Sequence, residues 1–157
     1  MYQLTENPDF VKCLETGAFV GPDGWMRDEY QKWLDEGNTP LPYRPYELYT
    51  PAHFQFIRTK AWEWMAEVVR ARRYDSIETC VGYYNSGVER YRREARAMVA
   101  WRDAINQKLE ELVVTRPDGI ETWEQVKPLL PQPEVYDWPA PQDLPLDAVP
   151  PVDLPLE

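Results

Sequence analysis

The sequence predicts a mainly α-helical protein with a small N-terminal β-turn module and an extended, proline-rich C-terminal arm. Three observations predict it. Apolar residues recur at helical spacing over three long stretches, each flanked by start and stop signals. Short alternating segments separated by turn residues fill the first two dozen positions. From Pro128 onwards nine of thirty residues are proline, which excludes helix interiors and central strands. These features divide the chain into a β-turn plus helix module over 1–40, a Pro/Tyr linker over 41–50, a helical domain over 51–130 and an acidic arm over 131–157.

Tyr2-Gln3-Leu4 and Phe10-Val11-Lys12-Cys13-Leu14 alternate as half-buried strands do, and Gly17-Ala18-Phe19-Val20 offers a third. Asn7-Pro8, Glu15-Thr16-Gly17 and Gly21-Pro22-Asp23-Gly24 supply the turns. A hairpin or meander this small is marginal alone and has to pack on something. Residues 25–36 then read as a helix, with Met26, Tyr30, Trp33 and Leu34 on one face. Gly37 and Pro40 mark its end.

The linker Pro40-Leu41-Pro42-Tyr43-Arg44-Pro45-Tyr46-Glu47-Leu48-Tyr49-Thr50 is expected to be extended and packed through its tyrosines. Thr50-Pro51 is a cap followed by proline in the first helical position. The helix it opens runs to about Arg73, with Phe54, Ile57, Ala61, Trp64, Met65 and Val68 as its stripe. Phe56 and Trp62 lie off that stripe and are candidates for a second contact surface. Burial under the N-terminal module is the plainer account of them.

Asp75-Ser76-Ile77-Glu78 reads as a capping box with Asp75 as the cap, opening a short helix to about Tyr84. Asn85-Ser86-Gly87 breaks it. The last long helix is predicted over 87–113, with Tyr91, Ala95, Met98, Ile105, Leu109 and Leu112 at 4-3 spacing and Arg102 interrupting them. Packing within the chain explains this stripe better than a coiled coil between chains, because the pattern is short and contains a charge.

The net charge of −10 argues against a nucleic-acid partner and against an anionic membrane surface. There is no apolar run near the ~20 residues of a membrane span, and no charged start followed by an apolar stretch, so the expected place of synthesis is a cytoplasm. Cys13 and Cys80, 67 positions apart, fit reduced thiols rather than a disulfide or a metal knuckle. The single histidine, His53, is expected as a cap or surface residue. Without it no Ser-His-Asp or Cys-His arrangement can be built. No phosphate loop and no zinc spacing is present. The sequence therefore predicts no enzyme, no cofactor and no metal site.

The arginines are uneven. Arg70, Arg72 and Arg73 close one helix, where cations suit the dipole, while Arg90, Arg92, Arg93 and Arg96 open another, where they do not. A solvated face is the ordinary explanation. The alternative is a patch, with Arg90, Arg93 and Arg96 at its centre, that receives an acidic partner. The arm offers one: Asp143-Leu144-Pro145-Leu146 recurs as Asp153-Leu154-Pro155-Leu156. It is either a free acidic tail or an extended arm along a partner, with Leu144, Leu146, Val149, Leu154 and Leu156 as anchors. A neighbouring copy's arm on the arginine patch is one such arrangement.

Two strings resemble a known family. Leu4-Thr5, Asn7-Pro8, Gly17-Ala18-Phe19-Val20, Trp33-Leu34 and Gly37-Asn38-Thr39-Pro40 resemble a short module of tailed-phage proteins, from which the chain departs at Gly21. Arg73-Tyr74-Asp75-Ser76-Ile77, Cys80, Tyr83 or Tyr84, Ser86, Arg90-Tyr91, Glu94-Ala95 and Ala100-Trp101-Arg102-Asp103-Ala104 resemble a helical module near the C-termini of tailed-phage tail and tail-fibre-associated proteins. The sequel Thr122–Pro131 matches the family's acidic helix with a leucine-proline end. Together these cover about 1–40 and 60–133. The resemblance implies a non-enzymatic tail protein in the virion, made in the host cytoplasm, that connects or decorates tail, baseplate and fibres. Its partners would be other tail or fibre proteins or copies of itself. A fibre-assembly chaperone absent from the virion and a small regulator binding a host protein are the alternatives.

Overall fold

The computed structural model describes residues 1–142, and the anchors expected at Leu144, Leu146, Val149, Leu154 and Leu156 lie outside the described residues. Among the described residues the fold is mainly α, with five helices and one small antiparallel sheet. The chain divides into two compact units, Met1–Phe54 and the remainder from Gln55.

The first unit begins with strands β1 (Tyr2–Leu4), β2 (Val11–Cys13) and β3 (Phe19–Val20), ordered as in the sequence. Tyr2 pairs with Cys13, Leu4 with Val11 and Val11 with Val20. Alternation then sends Val11, Cys13 and Val20 to one face, where they form a core with Tyr30 of helix α1 (Trp25–Asp35). Tyr2 sets its ring edge-on to Tyr30 and Trp33, at 4.9 and 5.2 Å. This is the packing a three-stranded scrap of sheet requires. Gly37, at φ 89°, ends α1 as its position predicts. The linker is tied to the sheet, since Leu41 exchanges backbone hydrogen bonds with Tyr2 and Leu4.

His53 departs from expectation. It is 4% exposed, not a surface residue. Its ring stacks on Tyr46 at 4.7 Å, and its Nδ1 accepts the backbone N–H of Tyr49 at 3.0 Å. That bond lies at the residue whose φ is +58°, so the imidazole braces a left-handed turn leading into helix α2 (Pro51–Ala71).

In the second unit Ile57, Ala61, Trp64, Met65 and Val69 of α2 supply one wall of the core. The α2 terminus has both hydrogen bonds of a Schellman motif: Tyr74 N–H to Val69 O at 3.1 Å and Arg73 N–H to Arg70 O at 2.9 Å. The left-handed position is Arg73, at φ 72°, where glycine would be usual. Helix α3 (Ile77–Gly82) is capped by Ser76, not Asp75. The Ser76 hydroxyl accepts Thr79 N–H at 3.1 Å, which leaves Glu78 one position short of a capping box.

Helix α4 (Glu89–Thr115) buries Ala95, Met98, Trp101 and Ile105. Trp101, not Arg102, occupies the predicted stripe's weak slot, because the 3.6-residue period carries the buried face through 98, 101 and 105. Helix α5 (Trp123–Val126) carries a complete Thr122/Gln125 capping box. Two 3-10 turns, Lys127–Leu129 and Pro133–Val135, follow. No helix among the described residues is long and apolar enough to cross a membrane.

Candidate functional site

The surface that best combines position, charge and aromaticity is built where α2, α3, α4 and the start of the arm meet. Its foundation is Glu94, 1% exposed on α4. A bare carboxylate there would be strongly unfavourable. Three donors compensate: Tyr74 Oη at 2.5 Å from Oε2, Arg72 Nη1 at 3.3 Å from Oε1 and Arg90 Nη1 at 3.7 Å from Oε1. The Schellman turn after α2 delivers both Arg72 and Tyr74 to this point. Burial and the Glu94 carboxylate push the Tyr74 phenol above its ordinary range. Cys80, fully buried beside them, is pushed up to about 12, first by burial and then by Glu94. A thiol so held is not a nucleophile. Cys13 differs, since hydrogen bonds at Thr16 and Glu15 hold its thiol below the ordinary value.

The arm starts by folding back on this foundation. Trp101 donates its indole N–H to Pro131 O at 2.8 Å. Trp138 lies under the Arg72 guanidinium at 4.6 Å and edge-on to Trp101 at 6.3 Å. Arg72 also donates to Pro139 O at 3.0 Å, and Arg93 pairs with Asp137 at 3.0 Å. Part of the predicted arginine patch therefore receives an acidic residue of its own chain.

Around these contacts lies the exposed rim. Tyr83 and Tyr84 are 40% and 42% exposed, and Val88 is 50% exposed. Tyr83 stands 5.1 Å from Tyr91, over which Arg90 is placed at 4.7 Å. Arg96 lies 5.1 Å over Tyr84. Tyrosines and arginines held in place by one another lose little side-chain freedom when a partner arrives, which is the composition of binding hot spots.

The structure brings Arg90, Arg93 and Arg96 together on this surface. Phe56 and Trp62 are elsewhere, on α2. Phe56 is half-buried against the core with Lys60 over its ring at 5.8 Å, whereas Trp62 is 39% exposed. Sequence reasoning missed Glu94, Trp101, Trp138 and the exposed pair Tyr83 and Tyr84. A signal for Glu94 existed: it falls at i, i+4, i+7 and i+11 with Met98, Trp101 and Ile105, so it shares the buried face. Among the described residues no cluster of histidine, cysteine and carboxylates could hold a metal ion.

Comparison with family models, curated proteins and solved structures finds no match for this chain.

Proposed function

We propose that this chain is a non-enzymatic structural protein of a tailed-phage tail, acting through protein contacts between tail or baseplate and fibres. The observation that carries this reading is how the residues of the tail-protein resemblance are used. Tyr74, Ile77, Cys80, Ala95 and Trp101 are buried, and Glu94 is clamped among them. Much of the shared string thus encodes a scaffold, while Tyr83 and Tyr84 stay exposed, with Arg96 over the Tyr84 ring, as a rim suited to recognition. Cys80 and Glu94, the thiol and carboxylate of that string, are closed off within the scaffold.

Quantitative mass spectrometry of purified particles of the encoding phage tests the reading. Stoichiometric presence with the tail proteins is the expected result. Absence together with misfolded fibres would move the protein to an assembly chaperone. Absence with normal fibres would make it a regulator acting on a host protein.

A further inference from the structure

The first unit carries a second surface that this reading does not use. In the sheet Gln3 pairs with Lys12 and Lys12 with Phe19, so these three side chains share the face opposite α1. The linker residues Tyr43, Arg44 and Glu47 form the facing wall of a groove of about 310 Å³. Phe19 is 65% exposed and Tyr43 is 43% exposed. A large aromatic left this open on a sheet whose opposite face builds a core is unusual.

We infer that this groove binds the proline-rich segment Asp143–Glu157 of a second copy of the chain. The chemistry of both sides supports the match. Aromatic-lined grooves recognise proline-rich segments because such segments are already extended and lose little entropy on docking. The segment holds four prolines, four carboxylate side chains and no cation. Its two Asp-Leu-Pro-Leu boxes each pair an acidic residue with an apolar Leu-Pro-Leu step. Lys12, at the middle of the groove face, suits the aspartate, and Phe19 and Tyr43 suit the leucines and proline. Fifteen residues in polyproline II conformation span about 46 Å, enough for one box to engage a neighbour while the segment stays attached to its own chain. The contact is heterologous, groove to arm, so it links copies without requiring a self-complementary patch. It does not depend on the particle in which the protein works.

The test uses the full chain throughout. Sedimentation velocity over a concentration series is expected to show a rise from the 18.5 kDa monomer to at least twice that mass. Phe19→Ser with Lys12→Glu is expected to abolish the rise, as is Leu144→Asp with Leu154→Asp. The exposure of Phe19 makes the first pair compatible with folding, and circular dichroism checks it. Mixed in equal amounts, the two monomeric variants are expected to form a one-to-one complex, because one retains the arm and the other the groove. A full chain that stays monomeric at every concentration, an association that survives either double substitution, or a mixture that fails to associate would each overturn the assignment.

Discussion

The phenolic hydroxyl of Tyr74 donates to the Glu94 carboxylate, 2.5 Å from Oη to Oε2, at a point where Glu94 is 1% exposed. One residue comes from the turn after α2 and the other from the second turn of α4, so a single hydrogen bond joins two walls of the core. Removing either partner leaves a buried polar group unsatisfied. Glu94→Ala, which also strands Arg72 and Arg90, is expected to cost about 3–5 kcal/mol. Tyr74→Phe is expected to cost about 1–3 kcal/mol. Urea denaturation of both single variants and of Tyr74→Phe/Glu94→Ala measures the coupling. Additive effects in the double variant would show that the contact is not energetically joined.

Tyr74 and its buried neighbour Cys80 make stability depend on alkaline pH. Tyr74 and Cys80 both hold their protons more tightly folded than unfolded. The unfolded chain therefore binds fewer protons once pH exceeds the ordinary values, and stability falls as pH rises. The stabilisation is complete below pH 9.0, the ordinary thiol value, and is lost for Cys80 as pH climbs towards about 12. Tyr74 adds its loss from 10.0 upwards. Each group contributes a slope of up to about 1.4 kcal/mol per pH unit. Urea midpoints between pH 8 and 11 are expected to decline, and less steeply in Cys80→Ala. A flat profile would contradict the burial of both groups.

The two thiols should separate in reactivity. Cys13 ends the central strand β2, 8% exposed and with its thiol held below the ordinary value, while Cys80 is 0% exposed and held above it. A thiol-specific chromogenic reagent at neutral pH is expected to modify Cys13 first and Cys80 only at the rate of unfolding. In urea both should react together. Equal native rates would rule this out.

Much of this architecture is legible in the sequence because its punctuation is local. Gly37 ends α1, Thr50-Pro51 opens α2 and Thr122/Gln125 caps α5. Each signal lies within a few residues of the structure it specifies. What is not legible depends on partners distant in sequence. Trp101 is buried because Pro131 O, thirty residues on, accepts its indole N–H. Counting in heptads instead places Arg102 in the stripe. Spacing puts Glu94 on the buried face of α4, but its partners are not legible, because only the turn at Arg73 brings Tyr74 and Arg72 to it. The arginine patch was readable as a cluster, but the capture of Arg93 by Asp137 depends on the return of the arm.

Arg73 offers a gain in stability. It occupies the left-handed position of the α2 Schellman motif, which costs a side-chain-bearing residue roughly 1–2 kcal/mol. Glycine avoids that strain but adds entropy to the unfolded chain, worth about 0.5–1 kcal/mol. Arg73→Gly is therefore expected to stabilise by up to about 1 kcal/mol, whereas Arg73→Val should destabilise. Thermal melts of the two variants give the sign directly, and a destabilised glycine variant would mean that the Arg73 side chain makes an energetically significant contact.

The returning arm is held unevenly, and two substitutions separate its attachments. The Arg93–Asp137 pair is exposed, with Asp137 at 88%, so solvent and salt screen it. Asp137→Ala is expected to change stability by less than about 1 kcal/mol. Trp138 is half-buried, donates its indole N–H to Pro133 O at 3.0 Å, and lies against both Trp101 and Arg72. Trp138→Ala removes that packing and uncovers the Arg72 guanidinium beside Glu94. A loss of about 1–3 kcal/mol is expected, below the 3–5 kcal/mol typical of a fully buried tryptophan. Limited proteolysis reads the local effect: in Trp138→Ala, cleavage between Pro131 and Gln142 should accelerate, while Asp137→Ala should resemble the parent chain. Equal acceleration in both variants would mean that the ion pair fastens the arm as much as the indole does.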